Sequence, residues 1–154
     1  MQPGTIEPSA RSLELPASMD DWDDLFGFVQ SEVARCLAGH SKAYPLVLAC
    51  EELLSNIIRY NSGLTEDGTP VTIRIRSQLL QNSTPPLFQL QISDNGPPFD
   101  PRFETLDTSV SEVPIEQRKV GGLGLFLIKT SVDQVDYAYV DRRNLYTLDT
   151  WLTP

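Results

Sequence analysis

The sequence predicts an α/β (α+β) fold, a two-layer sandwich in which one mixed, mostly antiparallel sheet is covered on one face by about three helices. Three observations carry that expectation. Apolar residues recur at helical spacing in separate stretches opening near Ser18, Ser41 and Gly121. Apolar and polar residues alternate in Val71–Arg76 and again in Phe88–Ser93, as half-buried strands require. The elements follow the order strand, helix, helix, two strands, long loop, helix, two strands, which one sheet and one helical layer satisfy. A length of 154 residues fits a single domain with a real core, expected over residues 11–154 after a flexible terminus at 1–10 that carries Pro3, Gly4 and Pro8. No internal repeat or shift of composition divides it.

Taken in order, Arg11 to Leu15 reads as a short edge strand with Leu13 and Leu15 inward. Ser18 starts a helix, and Asp21 three residues later completes a capping box. Asp20, Asp21, Asp23 and Asp24 sit in the first turns, where the helix dipole favours negative charge. Trp22, Leu25, Phe26, Val29, Val33 and Leu37 form its apolar stripe, and Gly39 ends it. Ser41 caps a second helix, which tolerates Pro45 in its first turn and runs to about Tyr60 before Asn61-Ser62-Gly63. After the two alternating strands, residues 101–120 show no period, are broken by prolines and are rich in Thr, Ser and Glu. Loops that long in compact domains tend to be lids or binding segments. Gly121 opens an apolar helix to about Val132, and two strands follow at Val135–Val140 and Leu145–Leu152, joined by Asp141-Arg142-Arg143-Asn144.

The formal net charge is -9 with a sequence pI near 4.4. That balance argues against direct binding to nucleic acid or to anionic membranes, both of which are held by lysine and arginine. No apolar run reaches the length of a membrane span and no basic-then-apolar leader opens the chain, so a cytoplasmic location is expected. Cys36 and Cys50 make no C-x-x-C pair and read as reduced packing residues. His40 reads as an isolated loop residue in the connection between the first two helices.

The chemistry concentrates in three stretches. In the second helix Val47, Cys50, Leu53, Leu54, Ile57 and Ile58 fill the apolar side, and Glu52 and Asn56 stack one turn apart on another. A carboxylate and a carboxamide in that register are either a solvated face or two oxygen donors for a hard cation such as magnesium. Asp94-Asn95-Gly96 follows a strand and reads either as a tight turn or as a carboxylate placed to accept from the exocyclic amine of adenine, with Gly96 letting the backbone approach the flat base. Pro97, Pro98 and the long segment beyond oppose a simple hairpin. Gly121, Gly122 and Gly124 lie where a loop becomes a helix, and open amides at a helix start suit anionic phosphates. No Gly-Lys-Ser/Thr follows, so the stretch is not a P-loop.

Together, Glu52-x-x-x-Asn56, Asp94-x-Gly96-x-x-Phe99-Asp100 and Gly122-x-Gly124-Leu125 resemble the N, G1 and G2 boxes of the GHKL ATPases. That superfamily includes gyrase, heat-shock chaperones, histidine kinases and mismatch-repair ATPases. The resemblance covers about residues 11 to 152, with a flexible ATP lid between the last two boxes. Glu51–Tyr60 and Gly121–Lys129 look most like the small anti-sigma-factor serine/threonine kinases of bacterial partner-switching systems.

What the resemblance implies is specific. ATP and Mg2+ would be the cofactors. Asn56 would coordinate the magnesium, and Glu52 would be the catalytic base for a substrate hydroxyl. Asp94 would hold the adenine with Gly96 beneath it, and the glycines of Gly121-Gly122-Leu123-Gly124-Leu125 would receive the phosphates. The implied nucleotide-binding set is therefore Asn56, Asp94, Gly96, Phe99, Lys119, Gly121, Gly122, Leu123, Gly124 and Leu125. Arg118 is a further candidate phosphate contact, and Arg59 a candidate at the edge of the site. The branch often carries His four residues after the metal-binding Asn, where this chain has Tyr60.

The implied substrate is a STAS-domain anti-anti-sigma protein, the implied sequestered partner is a sigma factor or other regulator, and a homodimer is implied as well. The alternative is a nucleotide-gated binding regulator without phosphoryl transfer, against which the retention of Glu52 argues. A detached histidine-kinase catalytic domain is a third reading. It is disfavoured because the chain has no helical hairpin bearing a phospho-accepting histidine.

Overall fold

The computed structural model describes residues 10–61, 65, 67–103 and 122–153. Eight main elements occur in chain order: β1 (Ala10–Pro16), α1 (Trp22–Leu37), α2 (Ala43–Tyr60), β2 (Thr72–Leu80), β3 (Leu87–Asp94), α3 (Gly122–Ser131), β4 (Gln134–Val140) and β5 (Arg143–Trp151). The described strands form one sheet in the order β1-β2-β3-β5-β4. Every pairing is antiparallel, so the mixed sheet expected from sequence resolves into a fully antiparallel one. The reason lies at the carboxyl end of the chain. β3 and β4 do run parallel, but β5 folds back from β4 and inserts between them.

One sheet face carries Ile73, Ile75, Phe88, Leu90, Ile92, Tyr146 and Leu148, all buried. α2 contributes Leu46, Cys50, Leu53, Leu54 and Ile57 to the same core, α1 contributes Leu25, Val29, Val33 and Leu37, and α3 contributes Ile128. The opposite face carries Arg74, Arg76, Gln78, Gln89 and Gln91, partly or fully open to solvent. Period-two alternation is thus spent on separating a core face from a wet one.

Local departures from expectation have local causes. Ser18 does accept from the amide of Asp20 at 3.1 Å, but it caps a short 3-10 turn, Met19–Asp21, that precedes α1. The amide of Ser18 bonds to the Pro16 carbonyl at 2.9 Å, which removes the donor that Asp21 would have served in a capping box. Ser41 does not cap α2. That place falls to Lys42, which makes no side-chain capping bond; its Nζ reaches Asp133 at 2.9 Å and the Trp151 carbonyl at 2.7 Å instead. His40 is not isolated either, because it accepts from the amide of Lys42 at 3.1 Å and lies 3.1 Å from the Thr153 carbonyl oxygen. Ala10 belongs to β1 rather than to the terminus, the rest of which lies outside the described residues.

One buried charge crosses the layers. Glu32 of α1, 1% exposed, accepts from the Ser77 hydroxyl of β2 and from Nη2 of Arg35 at 2.7 Å, with Arg11 of β1 at 3.8 Å. Burial alone would push its carboxyl up, yet the bonds from Arg35 and Ser77 and the two guanidinium charges hold it below the ordinary value. Cys36 and Cys50 are both free, and burial pushes the Cys50 thiol up to about 12. No helix among the described residues is long and apolar enough to cross a membrane.

Candidate active site

α2 lies across the sheet with Asn56, Ile57 and Tyr60 pointing toward the carboxyl end of β3, where Asp94 sits. Between them is a cleft of about 170 Å³. Its floor and walls are Leu53, Ile57, Leu125 and Tyr146, its polar groups Asn56, Asn61, Asp94 and Asn144, and its rim Pro97, Pro98, Phe99, Pro101 and Tyr60. Complete drug-sized sites run to about 300–1,000 Å³, so the cleft suits a single planar ring better than a whole ligand. Tyr60 and Phe99 stack at its mouth with ring centroids 5.0 Å apart and planes 23° apart.

Buried polar groups are normally paired, and the exceptions call for a reason. Among the described residues, all the buried side-chain polar atoms without a partner except Thr150 Oγ1 belong to two cleft residues, Asn56 (Oδ1 and Nδ2) and Asp94 (Oδ2). Both residues are at most 5% exposed. A helix that buries an unpartnered carboxamide, facing a strand that ends in a half-unpartnered carboxylate, is a polar site waiting for a polar ligand.

Asp94 is held in place by donors on its other oxygen. Oδ1 accepts from the amide of Gly96 at 2.9 Å and from Nδ2 of Asn144 at 3.0 Å. Burial pushes its carboxyl above the ordinary aspartate value, against the opposing pull of those two bonds and of Arg143. The chain after Asp94 does not form the tight turn that Asn-Gly suggested, since neither Asn95 nor Gly96 has a positive φ. Asn95 turns back to accept from the amide of Thr72 at 2.8 Å. Gly96 is needed for a close approach within the protein itself. A Cβ there would come within 2.0 Å of Oδ1 of Asn61, whose amide is fixed by a 3.0 Å bond from Nδ2 to the Ile57 carbonyl.

The other end of the site lies where α3 begins. A Cβ on Gly124 would come within 2.7 Å of Oε2 of Glu52 and 3.4 Å of Nδ2 of Asn56. Glu52, Asn56 and the first turn of α3 therefore meet at one place, where the helix leaves amides without intrahelical partners and presents the positive end of its dipole. The residues fit a magnesium nucleotide. A cation there would find the Asn56 oxygen free, anionic phosphates would find the α3 amides, and a base would find the free acceptor of Asp94. No group of three or more His, Cys, Asp or Glu among the described residues could hold a metal by itself, so such a cation would draw further ligands from the nucleotide and water.

The structure thus brings together Glu52, Asn56, Asp94, Gly96, Phe99, Gly124 and Leu125. Gly122 and Leu123 form the start of α3. Arg118, Lys119, Gly121 and the lid beyond Phe103 lie outside the described residues, and Arg59 is exposed on α2. Sequence reasoning missed Asn144 and Tyr146 altogether. Tyr146 is legible as an inward position of β5, but Asn144 was hidden because it read as part of a loop.

Residues 15–149 match the family described as Histidine kinase-like ATPase domain. The serine-protein kinase RsbW of Listeria innocua is 30% identical over 96 residues, 61% of this chain and 57% of that protein. The protein of the same name from Listeria monocytogenes is 30% identical over 98 residues, again 61% and 57%. The matched region thus spans little more than half the length of either relative.

Proposed function

Because the chain belongs to the histidine kinase-like ATPase domain family, we propose that it is an ATP-dependent protein serine/threonine kinase that also sequesters a regulator. The observation that carries the reading is the set of unpartnered buried atoms on Asn56 and Asp94, which line one cleft, with Glu52 and Asn56 meeting Gly124 at the start of α3. The similarity to two serine-protein kinases supports the choice of reaction.

In this reading Asp94 accepts from the amino group of adenine through Oδ2, while Ile57, Leu53 and Tyr146 exclude water from the ring. The amides at the start of α3 take the phosphates, and Lys119 and Gly121 are proposed as further phosphate contacts. Asn56 would hold magnesium through Oδ1, and the ion would supply positive charge to offset that of the phosphates. Glu52 accepts the proton of a substrate serine or threonine hydroxyl. The hydroxyl oxygen bonds to the γ-phosphorus, the bond to the β-phosphate oxygen breaks, and ADP leaves with the electron pair. Phosphoryl transfer needs positioning and charge neutralisation more than covalent chemistry, so one carboxylate base and these donors suffice.

The proposed substrate is a STAS-domain anti-anti-sigma protein, and the proposed sequestered partner is a sigma factor or comparable regulator. Homodimerisation belongs to the same proposal. Incubating the protein with γ-labelled ATP, magnesium and a STAS-domain protein tests it. Label on a serine or threonine of that protein supports the kinase. Tight ATP binding without label would leave a nucleotide-gated binder in its place.

A further inference from the structure

Asn144 is 1% exposed and stands directly opposite Asp94 in the β3–β5 register. Its Nδ2 faces three acceptors: Oδ1 of Asp94 at 3.0 Å, the Pro97 carbonyl at 2.8 Å and the Gly96 carbonyl at 3.4 Å. Its Oδ1 faces two donors, the amide of Phe99 at 2.9 Å and the hydroxyl of Tyr137 on β4. This pattern admits one orientation of the carboxamide. Turned over, its oxygen would meet three acceptors and its amino group the Phe99 amide, which can only donate. One side chain therefore reaches Asp94 and the loop carbonyls and amide of residues 96, 97 and 99.

Two consequences follow for the cleft. Asp94 Oδ1 is saturated by donors, which turns Oδ2 inward as the remaining acceptor. Phe99 is carried to the place where its ring stacks on Tyr60, closing the rim. The polarity of the base slot and its width are both set through the same carboxamide.

We propose that Asn144, braced by Tyr137, is the positioning residue that makes this cleft selective for a 6-amino over a 6-oxo purine. The inference rests on the nucleotide reading above and extends it to a residue of the cleft that acts on the base through Asp94 and the loop. A 6-oxo purine presents an acceptor where adenine presents a donor, so it meets the Asp94 oxygen as acceptor against acceptor. Asn144→Asp replaces the donor with a second carboxylate beside Asp94 and against the two loop carbonyls, which a buried pair of like charges cannot sustain. The Asp94 carboxylate then gains a proton or moves, and either change removes the discrimination.

The test is calorimetric binding of ATP and of ITP, with magnesium, to the wild-type chain, Asn144→Asp and Tyr137→Phe. The two nucleotides share their phosphates and sugar, so effects at the metal end cancel in the ratio of affinities. Wild type is expected to favour ATP by about tenfold or more, the scale of one unpaired buried polar group. Asn144→Asp should bring the ratio close to unity, and Tyr137→Phe, which deletes a single hydroxyl, should lower it by a smaller factor. A merely structural role would weaken both nucleotides equally and leave the ratio unchanged in both variants, which overturns the proposal while the nucleotide site stands. Wild type that binds neither nucleotide overturns the nucleotide reading and this inference with it.

Discussion

A methyl group on Gly124 would lie 2.7 Å from Oε2 of Glu52, closer than carbon and oxygen tolerate. The first turn of α3 and the middle of α2 are in contact through that missing side chain, and the contact brings the proposed base to the proposed phosphate site. What a methyl would displace is the free end of a flexible side chain, not backbone. Gly124→Ala should therefore fold normally, and it should gain up to about 1 kcal/mol of helix propensity. Phosphoryl transfer should nevertheless fall by at least about tenfold, since a base displaced by an ångström loses its geometry. Thermal unfolding and a transfer assay on the same preparation separate the two effects.

Asp94→Asn should trade function for stability. Its Oδ1 still accepts from Gly96 and Asn144, and the buried charge is gone. The folded pKa of Asp94 is raised, so its contribution to stability is fully present below the ordinary aspartate value and is lost as pH rises through the raised one. The substitution should therefore stabilise the ligand-free protein at neutral pH by about 1 kcal/mol, in the usual range for relieving a functional strain. ATP affinity should drop by about tenfold or more, because an amino group then faces the adenine amine. In the wild type the same logic predicts that ATP affinity weakens on acidification at a pH above the usual aspartate range. Thermal shift and calorimetry across pH check both halves.

Glu32→Ala should destabilise without touching the site. It leaves the Ser77 hydroxyl without its acceptor in the core and removes the carboxylate that binds Arg35. A loss of about 2–3 kcal/mol is expected for a buried, hydrogen-bonded carboxylate with one half-exposed partner. Because the folded pKa of Glu32 is lowered, its contribution is present above the ordinary glutamate value and disappears as pH falls through the lowered one. Urea unfolding at neutral and acid pH should show the difference between wild type and variant shrinking on acidification.

Much of this architecture is legible in the sequence because it obeys simple periods. The alternation of β2 and β3 fixes which residues face α2, and the four-residue spacing of Glu52 and Asn56 puts them on one side of the helix. Alternation through Ser93 placed the end of β3 within one residue of its observed end at Asp94. Asn144 escaped because the link between β4 and β5 contains no glycine. The turn there is made by Asp141 and Arg142 alone, with φ of 52° and 62°, so Arg143 and Asn144 already belong to β5. A two-residue turn with both residues left-handed normally announces itself through Asn-Gly or Asp-Gly. Read without that signal, Asp141–Asn144 is a polar loop, and a buried strand residue at the base slot disappears into it. The unpartnered atoms of Asn56 and Asp94 are likewise invisible in sequence, since they depend on which neighbours tertiary packing withholds.

The central claim is that Asn56 and Glu52, neighbours on one helix face, divide binding from chemistry. Calorimetry of magnesium-ATP binding, paired with transfer of labelled phosphate to a STAS-domain protein, measures both in wild type, Asn56→Ala and Glu52→Gln. The account predicts that Asn56→Ala loses magnesium-dependent ATP binding, whereas Glu52→Gln binds ATP within about threefold of wild type and loses transfer by at least about a hundredfold. Loss of ATP binding by Glu52→Gln as complete as that of Asn56→Ala, or transfer that survives in Glu52→Gln, would contradict it.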